Sequence, residues 1–271
     1  MSTTSDPQQV WPTSIGLVGA GAMGRAMLAG LVRARPDLGS ACVIADQIPA
    51  AAAACADEIG GSVGQISDAA ACELVVCAVK PKDAEAALTA IAGHVGPKTV
   101  VISVIAGWDL ARLAAAAPGV CFVRTMPNLA VRHGAGVIAV ADDGGAAMAD
   151  NVAVTILEGL GEVVVLAESL FPAATALAGS GPGLLALIVE AFEEGAVASG
   201  LSRDQARAMA RGVVAGTAAL LSDDPDPAEL RQRVSSPAGT TIAGLLVLER
   251  GSVRAHVADA IVAAAQRAAE L

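Results

Sequence analysis

Ser14-Ile15-Gly16-Leu17-Val18-Gly19-Ala20-Gly21-Ala22-Met23-Gly24 is the stretch whose reading decides the fold. Ser14–Val18 is a short apolar run of strand type. Glycines in the spacing GxGxxG follow at once, and a helical pattern takes over across Ala22–Ala34. Strand, glycine turn and helix in that order put the turn at a helix N-terminus. There the backbone N–H groups and the helix dipole suit a pyrophosphate, and the glycines let it approach closely. Val18, Gly19, Ala20, Gly21, Ala22, Met23 and Gly24 are therefore expected to bind a dinucleotide. The plain alternative is a glycine-rich turn with no ligand.

Working outward, the strand–helix alternation continues. Ala41–Ala45, Leu74–Val79, Thr99–Ile105, Val120–Arg124, Gly136–Ala141 and Glu162–Leu166 are strand-like, with helical patterns at Ala22–Ala34, at Pro49–Glu58, through Ala92 and near Ala146–Gly159. Continuous apolar strands alternating with helices imply a parallel sheet covered on both faces. After Glu168 strand-type runs vanish. Helices are expected near Gly183–Ser199, Arg203–Leu221, Ala228–Val234, Thr241–Arg250 and Val253–Ala269, separated by Gly200, Asp223–Pro227, Ser235–Gly239 and Gly251. Ser202 and Gln205 have the spacing of a capping box. The expected class is α/β, a doubly wound sheet followed by an all-helical domain. Residues 1–13 read as a polar tail, 14–167 as the dinucleotide-binding domain and 168–271 as the helical domain. A helical half so poor in charge needs cover for its apolar faces, which a dimer or an intramolecular bundle supplies.

Composition narrows the function. The 271 residues include 62 alanines and 29 glycines, carry a net charge of −10 and are only 2% aromatic. An acidic chain with few aromatics argues against a nucleic-acid surface, which needs clustered cations and stacking platforms. The apolar runs fall short of the roughly 20 residues that span a bilayer, and no signal-type segment opens the chain. Cys42, Cys55, Cys72, Cys77 and Cys121 are odd in number and form no CxxC, so they read as reduced residues of a cytoplasmic protein. No metal site is expected, because His94, His133 and His256 do not pair with them at ligand spacings.

Candidate site residues gather at strand ends. Asp46 and Gln47 close the second strand, 22 residues after Gly24. A carboxylate there accepts hydrogen bonds from a ribose diol and repels a 2′-phosphate, so the bare reading favours NADH over NADPH. The alternative is an ordinary solvated acid. Ala78-Val79-Lys80-Pro81, Ile105-Ala106-Gly107 and Met126-Pro127-Asn128 end later strands and point at the same cofactor crevice, although a lone lysine such as Lys80 is more often solvated. In the helical half, Gly179-Ser180-Gly181-Pro182-Gly183 precedes a long apolar helix. Ser235-Ser236-Pro237-Ala238-Gly239-Thr240-Thr241 offers hydroxyls and backbone N–H groups at another helix start. That suits a small carboxylate, or a simple Ser/Thr cap. Lys80, Lys82 and Lys98 are the only lysines, tyrosine is absent, and past His133 the only histidine is His256. A hydroxyacid dehydrogenase would need such a group to take the alcohol proton. Reduction of a protonated C=N bond asks for less, since a hydroxyl that orients the nitrogen suffices. His133 reads as a solvent-facing loop residue rather than an acid.

From Ile15 to the last helix the chain resembles pyrroline-5-carboxylate reductase. The resemblance rests on the glycine loop, Ala78–Pro81, Ile105–Gly107, Met126–Asn128, Gly179–Pro182 and Ser236–Thr241, in family order. It implies reduction of L-1-pyrroline-5-carboxylate to L-proline with NADPH or NADH, the last step of proline synthesis. It also implies an N-terminal Rossmann domain and a helical domain that forms homodimers, often assembled into decamers. Carried over, it gives carboxylate binding to Ser236, Gly239 and Thr240. Thr241 would contact the ring nitrogen as the proton donor. Asn128 would border the nicotinamide.

Four departures from the family pattern stand out. Thr-Pro is missing after Asn128, an aromatic is replaced by Leu184, the first glycine of the carboxylate loop is Ala238, and Asp46 stands where NADPH-using members carry small polar or basic residues. The alternatives are a reductase of another cyclic imine and a non-catalytic dinucleotide-binding paralogue.

Overall fold

The structure is a computed structural model that describes residues 11–142, 152–223 and 226–270. Its first part runs β1 (Ile15–Val18), α1 (Ala22–Ala34), β2 (Cys42–Ala45), α2 (Pro49–Ile59), β3 (Ser62–Val63), α3 (Ile66–Ala70), β4 (Leu74–Cys77), α4 (Ala84–Ala92), β5 (Val100–Ser103), α5 (Leu110–Ala116), β6 (Cys121–Pro127), β7 (Gly136–Ala141), α6 (Val152–Glu158) and β8 (Gly161–Leu166). The strands form one eight-stranded sheet in the order β3-β2-β1-β4-β5-β6-β7-β8. Strand order reverses between β1 and β4, and such a switch point opens a crevice at the carboxyl edge.

Side-chain alternation builds two cores from one sheet. Ile15, Leu17, Leu74 and Val76 face α1, α2 and α6, among Met27, Leu28, Leu31, Cys55 and Ile156. Val18, Val75 and Cys77 face α3, α4 and α5, among Leu88, Ile91, Trp108 and Leu113. Strands buried on both faces explain the unbroken apolar runs. Each fully buried large aliphatic side chain contributes about 1.5–3 kcal/mol. Burial also pushes the thiols of Cys42 and Cys77 up to about 12. Cys42, Cys55, Cys72 and Cys77 are buried, unoxidised residues.

The sheet departs from the expected all-parallel form at one place. β6 and β7 pair antiparallel, with Met126 opposite Ala139, whereas β7 and β8 are parallel. The β6–β7 connection holds one 3₁₀ turn, Leu129–His133, too short for a crossover. The expected tail is also tied down at its end: Trp11 packs on the first core, Arg35 lies 5.6 Å from its ring, and the Thr13 N–H donates to Glu73 at 2.7 Å. Residues 1–10 of that tail, and 146–151 of the helix expected near Ala146–Gly159, lie outside the described residues.

The chain divides into two compact units, one ending at Gly179 and joined by the stretch from Ala265, the other Ser180–Ala264. A helical run not anticipated between Glu168 and Gly179 belongs to the first: a 3₁₀ turn, then α7 (Phe171–Ala174), then a π-helical turn Thr175–Gly179. Arg124 anchors its start, bonding Glu168 at 2.7 Å and lying 4.2 Å from the Phe171 ring.

The second unit holds α8 (Gly181–Ala198), α9 (Arg203–Asp223), α10 (Pro227–Arg233), α11 (Thr240–Arg250) and most of α12 (Val253–Ala269). Ser202 and Gln205 form the expected reciprocal cap, at 3.0 and 3.3 Å. α8, α11 and α12 bury no residue within the single chain. Leu187, Phe192, Met209 and Val247 are exposed. The 31-residue run Glu168–Ala198 is long and apolar enough to cross a membrane by length and composition; an 18-residue window within it has a mean hydropathy of 1.5, and 11% of that window is buried.

The tightest contact in the sheet layer is at Gly16, where an added Cβ would lie 1.9 Å from the Ala69 carbonyl oxygen of α3. Gly16→Ala is expected to push α3 off β1 and cost about 3 kcal/mol, the upper range for overpacking. A thermal unfolding scan reads this as a clear drop in Tm.

Candidate active site

The crevice at the carboxyl ends of β1, β2 and β4 encloses roughly 720 Å³. Its floor is the turn from β1 to α1. Gly19 donates to the Ala45 carbonyl at 2.9 Å, and the Ala78 N–H donates to Val18 at 2.8 Å, so the turn is held from both neighbouring strands. Gly19 has φ +101, and a Cβ there would lie 2.7 Å from the Ala78 carbonyl. Gly24 is buried, and its Cβ would sit 2.0 Å from the Gly19 oxygen. Gly21 differs. It is the N-cap of α1, with φ −70 and ψ −175 and no side-chain cap, and a Cβ there would meet nothing within 4 Å. The first glycine makes the turn, the third packs the helix on it, and the middle one keeps the space in front of the helix N-terminus clear. These residues fit a dinucleotide pyrophosphate.

Asp46 stands at the end of β2, half-buried. Oδ2 accepts the Ala20 N–H at 2.6 Å and Oδ1 the Ile48 N–H at 2.7 Å. Two backbone donors fix the carboxylate against the glycine loop and leave lone pairs for a ribose diol. Val18, Gly19, Ala20, Gly21, Asp46, Gln47, Ala78, Val79 and Lys80 line the crevice together. Ala22, Met23, Gly24, Pro81, Ile105, Ala106, Gly107 and Asn128 do not. Ala22 and Met23 open α1, Pro81 starts a 3₁₀ turn, Ile105 is buried in the second core, and Gly107 turns the chain at φ +73.

Sequence reasoning missed Ile48, Val63, Gly64, Gln65 and Lys82, which complete the wall. A two-residue exposed strand such as β3 leaves no periodic signal. Gly64, whose N–H donates to Ile44 at 3.0 Å, was its one available sign.

The shortened loop after Asn128 is the 3₁₀ turn Leu129–His133, closed by Gly134 at φ +69. Glu58 of α2 bonds both Arg132 of this turn and Arg25 of α1, the latter at 2.7 Å. The hydrogen bond from Arg25, aided by Arg132, holds the Glu58 carboxyl below the usual carboxylate range. His133 is exposed.

In the second unit, Ser236–Gly239 forms a tight turn, with the Gly239 N–H donating to Ser236 at 3.0 Å. Ala238 has φ +58, a left-handed conformation in which an alanine costs about 1 kcal/mol or more. Gly239 caps α11 without a side-chain bond, and a Cβ there would lie 2.4 Å from Ser236 Oγ. Ser236 Oγ is thus drawn in beside the cap, and Thr240 and Thr241 open the helix. An N-terminus with no side-chain cap, flanked by three hydroxyls, is suited to bind a carboxylate.

Comparison with known proteins points to one family. Residues 168–271 match the family described as pyrroline-5-carboxylate reductase dimerisation, and residues 14–107 match that described as NADP oxidoreductase coenzyme F420-dependent. The chain is 38% identical to the pyrroline-5-carboxylate reductase of Synechocystis sp. over 73% of this chain and 75% of that one. It is 34% identical to the Mycobacterium leprae enzyme over 95% of this chain and 96% of the relative. The chain belongs to the pyrroline-5-carboxylate reductase family. A solved pyrroline-5-carboxylate reductase from Coxiella burnetii superposes with a TM-score of 0.84 at 27% identity, covering 95% of this chain and 97% of that one. As a pyrroline-5-carboxylate reductase family member, the chain is an oxidoreductase.

Gly21→Val is expected to leave Tm nearly unchanged, since its backbone suits any residue and its Cβ is unobstructed. It should weaken dinucleotide binding about tenfold or more, read by fluorescence titration. Asp46→Ser removes the charge that opposes a 2′-phosphate. The NADPH/NADH ratio of kcat/KM should then rise by about tenfold, some 1.4 kcal/mol.

Proposed function

We propose that this chain reduces L-1-pyrroline-5-carboxylate to L-proline by hydride transfer from NAD(P)H. The observation that carries the reading is the Ser236–Thr241 turn, an uncapped helix N-terminus with hydroxyls on a member of this family. In this reading the α11 N-terminus, with Ser236, Gly239 and Thr240, holds the substrate carboxylate. Thr241 presents its hydroxyl to the ring nitrogen.

The bound nicotinamide supplies the hydride. The imine nitrogen already carries its proton, so hydride addition at the imine carbon (C2 of the pyrroline ring, C5 of the proline formed) leaves a neutral ring amine, and the two electrons of the C=N π bond become the nitrogen lone pair. Thr241 donates a hydrogen bond to that developing lone pair. No base is needed, consistent with the absence of tyrosine and of any lysine beyond Lys98. Alignment of donor and acceptor supplies most of the rate, up to about 7–11 kcal/mol.

Residues 14–167 act in this scheme as the dinucleotide domain, and 168–271 as the substrate and dimerisation domain. Asn128 keeps the nicotinamide end in shape, and Ile105–Gly107 lies beside it. The exposed Leu187, Phe192, Met209 and Val247 suit a homodimer, with a decamer as the higher assembly. Buried, unoxidised cysteines support a reducing, cytoplasmic setting. A second reading, reduction of a different cyclic imine, is favoured by the Ala238 methyl in the carboxylate turn.

Oxidation of NADH and NADPH with L-1-pyrroline-5-carboxylate, beside a panel of five- and six-membered cyclic imines, tests the proposal. Turnover highest on pyrroline-5-carboxylate supports it, and turnover on another imine alone would overturn it. Thr241→Ala is expected to lower kcat by about 10²-fold, the usual cost of losing a group that positions the reacting ring, with Tm unchanged.

A further inference from the structure

Asn128 is buried, and its side chain bonds in three directions. Oδ1 accepts the Ala130 N–H at 3.2 Å and the Val137 N–H at 3.4 Å, while Nδ2 donates to the Ala178 carbonyl at 3.1 Å. The two backbone donors settle which end of the amide is oxygen. Ala178 lies in the π-helical turn Thr175–Gly179, four residues before Pro182. An α-helix would satisfy the Ala178 carbonyl with the N–H of residue 182, but proline has none. The Asn128 amide supplies the missing donor from the end of β6, where it caps the 3₁₀ turn, 50 residues away in the chain. The chain passes from one compact unit to the other between Gly179 and Ser180, directly after this bond.

We propose that Asn128 is a positioning residue rather than a cofactor ligand: it holds the π-helical turn at the exit from the dinucleotide unit. With the shortened loop, one side chain then ties β6, the β7 start and that turn together. The catalytic consequence rests on the proposed imine reduction, in which an ångström of misplacement costs about 10²-fold. The structural consequence does not.

Asn128→Asp is the discriminating change, since it keeps the acceptor for Ala130 and Val137 and sets an oxygen against the Ala178 oxygen. Amide exchange across 175–180 should quicken about tenfold or more. The Kd for NADH should stay within about twofold, and kcat should fall about tenfold or more with KM for NADH unchanged. Adding Pro182→Ala restores a helical donor for Ala178 and should recover most of both losses.

A raised Kd for NADH with kcat intact at saturation would overturn the proposal in favour of a cofactor ligand. Unchanged exchange across 175–180 would overturn it outright. If native protein turned over no imine, the exchange result would still decide Asn128, while the imine reading alone would fall. Should Asn128→Asp fail to fold, recovery of folded protein on adding Pro182→Ala upholds the proposal, and no recovery overturns it.

Discussion

The approach of one helix terminus to two strand ends governs the dinucleotide unit. β1 sits between β2 and β4, and the chain must turn into α1 without pushing either away. Gly19, at φ +101 and against the Ala78 backbone, is the residue that permits the turn. Gly24 then lets the first turn of α1 lie on the Gly19 carbonyl. The same compression sets Gly21, the N-cap of α1, in the crevice lining and brings the Ala20 N–H within 2.6 Å of the Asp46 carboxylate. The shape of the glycine loop, the setting of the Asp46 carboxylate and the packing of α1 on the first core therefore share one steric condition.

The second unit obeys a different constraint. Its long helices bury little within one chain: Ala206, Ala210 and Leu230 are its buried hydrophobic side chains among the described residues. Helices that cannot bury an apolar face alone need a partner surface, which accords with the dimerisation family matched by residues 168–271. The Ser236–Thr241 turn stands on this unit, at the N-terminus of α11. Its two family glycine positions answer to separate demands. Position 238 requires a left-handed backbone, which this chain meets with a strained alanine, and position 239 requires room for Ser236 Oγ.

Much of this was legible in the sequence, and the remainder was not for definable reasons. The central strands announced themselves because burial on both faces demands unbroken apolar runs, as in Leu74–Cys77. α9 to α12 were legible from periodicity and breakers, and the Ser202–Gln205 cap from its spacing. Strand direction is not written in periodicity, so the antiparallel β7 stayed hidden. So did the helical run from Glu168, whose first pieces are a 3₁₀ turn, a four-residue helix and a π-helical turn, each too short to show a helical period. At the site, the glycine loop and Asp46 were visible through fixed spacing. Val63–Gln65 was not, because a two-residue edge strand carries no pattern. Asn128 was picked out by its place at a strand end, while its bond to Ala178 depends on a contact 50 residues away that only the fold reveals.

The central claim is that this chain reduces L-1-pyrroline-5-carboxylate by stereospecific hydride transfer from C4 of a nicotinamide. Reduction of L-1-pyrroline-5-carboxylate with NADH deuterated on either face of C4, followed by mass analysis of the product, tests it most directly. The account predicts L-proline carrying one deuterium at C5 from one of the two labelled cofactors and none from the other. Proline without deuterium from either, or no proline at all, would contradict it.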